Sequence, residues 1–143
     1  MASVHTYLNF NGNTEEAFTF YKSVFGGEFM ALMRFKDVEG SDQMPPDAQE
    51  KIMHVALSIA PGFTLMGTDA LESMGQFLTF GNNMQILLQT DSKEETTQFF
   101  HALSEGGTIE MNLEDTFWGD YFGAFEDQFG VHWMISYTYP KEA

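Results

Sequence analysis

The chain has 143 residues, no cysteine, and 21 Asp and Glu against six Lys and Arg, a formal net charge of -15. That length makes one ordinary domain with room for a core, and 15 Phe argue for a packed interior rather than disorder. The charge repels nucleic-acid phosphates and anionic membranes, and zero Cys removes disulfides, thiolate metal sites and cysteine nucleophiles. No apolar run approaches the roughly 18 residues of a membrane span, and the N-terminus lacks a basic region followed by an apolar one. A cytoplasmic protein with neither nucleic-acid nor membrane partners is expected.

Residues 4–10 (VHTYLNF) read as a strand. A helix then starts at Asn13, with Glu16 three positions on as a capping acid. Its apolar stripe is Ala17, Phe20, Tyr21 and Val24, and Gly26-Gly27 stop it. Strands follow at 28–36, 52–60 and 63–68, the last two joined by a turn at Ala60-Pro61-Gly62. The polar stretch 37–50, with Pro45-Pro46, is the longest loop and has the character of a lid or a disordered segment. The pattern then recurs. Residues 84–90 (MQILLQT) form a strand, Ser92 with Glu95 starts a helix, and Thr96, Phe99, Phe100 and Leu103 make its stripe. Gly106-Gly107 stop it, and strands run at 108–117, 120–127 and 131–137, with a turn over 127–130. Segments 4–27 and 84–107 are therefore copies, and the order is βαβββ twice. The fold class is α+β: one domain, residues 1–143, made of two modules at about 1–70 and 80–143.

Strand alternation sorts the residues into faces. His5, Tyr7 and Asn9 share one face of the first strand, against Val4, Leu8 and Phe10. Gln85, Leu87 and Gln89 do the same in the second module, against Met84, Ile86 and Leu88. In the closing strands Thr64, Met66 and Thr68 share a face, as do His132, Met134 and Ser136. The repeat pairs His5 with Gln85 and Met66 with Met134. The apolar faces pack under the helices; the more polar ones line a concave pocket. His54 joins that pocket or leaves it according to the turn near Pro61: a two-residue turn puts it opposite Met66's side, a three-residue loop puts it on the same side. Trp118 and Tyr121, with polar tips and beside Gly119 and Gly123, are further ligand contacts. Ten Met give an adaptable lining. The candidate small-molecule contacts are thus Tyr7, His54, Met66, Trp118, Tyr121, His132 and Met134. Arg34, the sole Arg, is either an anchor for an anionic substrate or a surface charge. No nucleophile elbow, HExxH pair or EF-hand loop occurs. No glycine-rich loop opens a helix after a strand, so there is no motif for a nucleotide or S-adenosylmethionine.

The stretches HTYLNF…EEAFTFYKSVFGGE and IEMNLEDTFWGDYFGAFEDQFGVHWMISY resemble the vicinal oxygen chelate superfamily of glyoxalases, extradiol dioxygenases and bleomycin-resistance proteins. DTFWGDYFG and FGVHWMI resemble its PhnB-like branch, often labelled 3-demethylubiquinone-9 3-methyltransferase-like. The resemblance implies a curled, cup-shaped mixed sheet built from both modules, and a homodimer. It also implies a divalent metal ion, with one ligand on the first and one on the last strand of each module. Carried over, His5 and Gln85 fall at the first-strand positions. Met66 and Met134 stand where metal enzymes of the superfamily have Glu. A thioether is a soft ligand, and two negative charges are gone. Two readings follow: a metal-assisted enzyme on an oxygen-bearing substrate, with His5, Gln85 and one further group holding the ion, or a metal-free protein that sequesters a small ligand. The methyltransferase label finds no motif behind it.

Overall fold

The computed structural model describes residues 1–141. The chain forms two compact units, Met1–Thr79 and the part from Phe80 onward. In the first, β1 (Thr6–Phe10), α1 (Thr14–Phe25), β2 (Phe29–Arg34), the single turn α2 (Pro46–Gln49), β3 (Ile52–Ala60) and β4 (Phe63–Asp69) build a sheet of order β1-β4-β3-β2. In the second, β5 (Ile86–Gln89), α3 (Lys93–Ser104), β6 (Thr108–Asp115), β7 (Asp120–Glu126) and β8 (His132–Thr138) build β5-β8-β7-β6. The pairs β1–β4 and β5–β8 are parallel and the others antiparallel, so each sheet is mixed. Neither sheet closes on itself. No helix among the described residues is long and apolar enough to cross a membrane.

Each helix covers one face of its own sheet. On α1 the buried residues are Thr14, Ala17, Phe18 and Tyr21, so Phe18 takes the place in the stripe that Phe20 was expected to hold. The reason lies in β4: a Cβ on Gly67 would sit 2.6 Å from the Phe18 ring, so the missing side chain makes room for that ring. On α3 Thr96, Phe100 and Leu103 are buried as the spacing predicts. Phe100 packs edge-on against Phe125, with ring centroids 5.3 Å apart, and lies over Gly123.

The helix starts differ from each other. Ser92 caps α3 as expected, its Oγ accepting from Glu95 N at 3.1 Å. Asn13 makes no side-chain cap on α1. The buried carboxylate of Asp69 does that work instead, accepting Thr14 N at 3.0 Å and Ile52 N at 2.8 Å. The loop expected over 37–50 is organised. It contains short helical turns at Phe35–Asp37, Ser41–Gln43 and α2, buries Ala48, and is tied by Gln49 Nε2 donating to Met44 O. Pro46 at the first position of α2 supplies the helical φ that starts this turn.

Candidate functional site

The helix-free face of the first sheet gathers most of the nominated residues of that unit. Register decides this. The β3–β4 turn has two residues, Pro61 and Gly62, between Ala60 and its partner Phe63. By itself it would turn His54 toward the helix. A register shift between Ser58 and Ala60 adds one residue to β3, so that Ala56 opposes Met66 and Val55 opposes Gly67. His54 therefore shares the face of Met66. One row across the sheet reads Tyr7, Met66, Ala56, Ala31. The next holds Asn9 opposite Thr68, and His54 opposite Met33.

Tyr7 and His54 meet across this face. Their rings stack with centroids 5.7 Å apart and planes at 26°, and the Tyr7 hydroxyl lies 3.0 Å from His54 Nδ1. Partial desolvation raises the Tyr7 phenol above its ordinary value, so it keeps its proton at neutral pH. The phenol occupies Nδ1 of His54 and leaves Nε2 for anything bound on the face. His5 behaves alike: its Nδ1 accepts Thr64 N at 3.1 Å, which leaves the proton on Nε2. A cleft of about 440 Å³ adjoins Asn9 and Thr68, walled by Phe35, Met53, Phe77 and Leu78. That volume lies in the range of small-ligand sites. Sequence reasoning missed this cleft, because Phe77 and Leu78 come from the segment between the modules, where no periodic pattern marks them.

A second cleft of about 820 Å³ contains three of the six cations, Arg34, Lys36 and Lys51. Arg34 is not available as a substrate anchor. Its guanidinium forks onto both carboxylate oxygens of Glu15 and also donates to Glu50 O at 2.9 Å. Lys36 pairs with Glu50. Arg34 holds the Glu15 carboxyl below its ordinary value of 4.5. The sign follows: the pair stabilises fully at neutral pH, and its contribution disappears as pH falls through the depressed Glu15 value, below 4.5. Because Glu15 is half exposed, the effect is modest. In Arg34→Gln the Glu15 titration midpoint, followed by carboxyl NMR, should move back up; an unmoved midpoint would remove Arg34 as the cause.

The second unit repeats the rows with different chemistry. Leu87, Met134, Ala124 and Met111 form one, and Gln89, Ser136, Phe122 and Glu114 the next. His132 opposes Glu126 and bonds through Nδ1 to Glu110 Oε1 at 3.0 Å. Trp118, on the turn before β7, is half exposed; its indole N–H donates to Asp120 Oδ2, and its ring lies 6.2 Å from that of Phe122. Gln85 is exposed just before β5. Tyr121 does not join this face. It opposes Tyr137, one position out of phase with Phe122 opposite Ser136. Its hydroxyl meets Thr97 of α3 at 3.1 Å, and Lys93 lies over its ring. The neighbouring glycines suggested a ligand contact, but strand alternation places Tyr121 under the helix.

The residues do not fit the metal that the superfamily uses. His5 would have to coordinate through the nitrogen that carries its proton, since Thr64 N–H occupies the other. Met66 and Met134 offer thioethers on their faces, and Gln85 a neutral amide. Among the described residues no group of three or more His, Asp or Glu stands together to hold a metal ion.

Comparison with known proteins agrees with the topology. The model of the family described as 3-demethylubiquinone-9 3-methyltransferase matches residues 2–136. Protein YjdN of Escherichia coli is 33% identical over 138 residues, which cover 91% of each chain. Protein PA1353 from Pseudomonas aeruginosa superposes with a TM-score of 0.84 at 38% identity, covering 96% of this chain and 98% of that one. A PhnB protein from Bacillus cereus gives 0.78 at 27% identity, covering 96% and 100%. A glyoxalase/bleomycin resistance/dioxygenase family enzyme from Burkholderia phytofirmans shares the fold at 16% identity, with a TM-score of 0.63. With its twofold βαβββ topology and a family model spanning nearly its whole length, the chain belongs to the PhnB-like family described as 3-demethylubiquinone-9 3-methyltransferase, and has the fold of glyoxalase/bleomycin resistance/dioxygenase proteins.

Proposed function

We propose that the protein binds a small, largely apolar molecule bearing a hydrogen-bond-accepting oxygen, without a metal, on the helix-free face of the first unit. The observation that carries this is the Tyr7–His54 pair. The phenol holds the imidazole beside Met66 and next to the Asn9–Thr68 row that opens into the apolar cleft, and in this reading it donates to Nδ1, so that Nε2 is an N–H donor. A carbonyl oxygen on a partly aromatic frame matches that donor, and the thioether adapts to the frame. The same reading takes the two modules as one glyoxalase-like domain, and the molecule as a cytoplasmic homodimer. Methyl transfer is not part of it: Gly26, Gly27 and Gly106, at φ 80°, 80° and 76°, follow helices rather than forming the glycine-rich loop that opens a helix in a nucleotide-like cofactor fold.

The test is a screen of carbonyl-bearing aromatic fragments by NMR on metal-free protein. Expected hits shift the Met66 methyl and the His54 ring, and Tyr7→Phe weakens them about three- to tenfold, the value of one hydrogen bond. Calorimetric titration with Mn²⁺, Ni²⁺ and Zn²⁺ runs beside it. Saturable micromolar metal binding that is lost in His5→Ala, with fragments bound only when metal is present, would replace this reading by the metal-assisted enzyme.

A further inference from the structure

The partner at Nδ1 sorts the histidines of the helix-free faces into two kinds. His5 accepts at Nδ1 from Thr64 N and so presents Nε2–H, and Nδ1 of His54 meets the neutral Tyr7 hydroxyl. His132 has a carboxylate there. An ionised carboxylate accepts only, so the bond to Glu110 takes the Nδ1 proton, and the His132 tautomer that it selects presents a lone pair at Nε2. The surroundings match. The rows of the first unit carry no Asp or Glu. Those of the second carry no Lys or Arg, and the row beside His132 is the apolar Leu87, Met134, Ala124, Met111. The charged groups facing His132 are Glu110 on β6 and Glu126 on β7; from the side of β5 the nearest in register is uncharged Gln85. The His132 side chain is only 12% exposed, held in place on the sheet.

We infer that His132, oriented by Glu110, is an acceptor site on the second unit for a primary ammonium group carried on an apolar frame. One N–H of the ammonium donates to Nε2, its charge faces Glu110 and Glu126, and the frame lies along Met134 and Met111. The histidine lone pair carries the specificity, because carboxylates alone would attract any cation. Glu110 is a positioning residue: it acts by setting the tautomer. The inference uses residues of the second unit alone and stands or falls independently of the carbonyl-binding reading.

The experiment uses three probes of one shape on the full chain: benzylamine, benzyltrimethylammonium and benzoate. Benzylamine should bind about tenfold or more tighter than benzyltrimethylammonium, which has the charge and no donor, and benzoate should not bind. His132→Phe should erase the difference between the two cations. Nitrogen NMR of the native ring should show Nδ1 protonated and Nε2 bare, and Glu110→Leu, which removes the acceptor on the exposed edge strand, should lose that preference and bind benzylamine several-fold more weakly. Equal affinity for the two cations, a His132 ring protonated at Nε2, or a Glu110→Leu variant with unchanged tautomer and affinity would each overturn the assignment.

Discussion

Replacing Asp127 by Ala should destabilise the protein by about 3–5 kcal/mol. Its carboxylate closes the β7–β8 turn by accepting Phe129 N at 2.8 Å and Val131 N at 3.0 Å through Oδ1. Through Oδ2 it accepts the indole N–H of Trp133, the largest fully buried side chain, at 2.9 Å. Alanine takes the acceptor from all three at once. The two turn amides can turn to water, but the indole cannot, and a stranded buried donor costs about 1–3 kcal/mol. Asp127→Asn keeps an acceptor for the turn and should fall between. Guanidinium unfolding followed by tryptophan fluorescence measures both. An Asp127→Ala loss below about 1 kcal/mol would mean that the carboxylate is incidental to the turn. The site would feel the change, because this turn delivers His132 to its place opposite Glu126.

The second large effect is a gain of one methyl group. In Gly123→Ala the new Cβ would lie 2.6 Å from Phe100 Cε2 and 3.0 Å from Leu113 Cδ2. Neither the strand nor the ring yields easily: β7 is bonded on both sides, and Phe100 is edge-on to Phe125. Overpacking of this kind costs about 2–3 kcal/mol. The double variant Gly123→Ala/Phe100→Leu should recover part of the loss, as a coupling in a mutant cycle; strict additivity would show that the clash is not with that ring. The first unit solves the same problem elsewhere, with the glycine on β4 and the ring at Phe18. The two copies thus share a backbone and differ in their packing.

The repeat, the βαβββ succession of elements, both long helices and the polarity of the first and last strands of each module were legible in the sequence, because each rests on a period that few residues can disguise. Tyr7, Met66, His132 and Met134 fell on the expected faces for that reason. What escaped was set by single-residue irregularities. The extra residue between Ser58 and Ala60 decides the side of His54, and nothing in IMHVALSIA announces it. A register shift between Ile109 and Met111 sets Met111, rather than Glu110, opposite Ala124. Asp69 replaced Asn13 as the partner of the α1 amide end, a contact 55 residues long that no local motif encodes. Tyr121 was misplaced for a plainer reason: its neighbours in sequence were weighed over the parity of its strand.

Asp69 has a bearing on the order in which the chain assembles. Its carboxylate joins the first turn of α1 to the start of β3, and it ends β4, whose partner in the sheet is β1 from the other end of the unit. During synthesis β1 and α1 emerge with an empty edge and an unheld amide, and both wait for the last strand of the unit. Loop closure over that span is slow compared with helix formation. The first unit should therefore acquire its structure in one late step, when residue 69 arrives, rather than strand by strand. A chain halted before that residue would hold α1 without the carboxylate that receives its first amide.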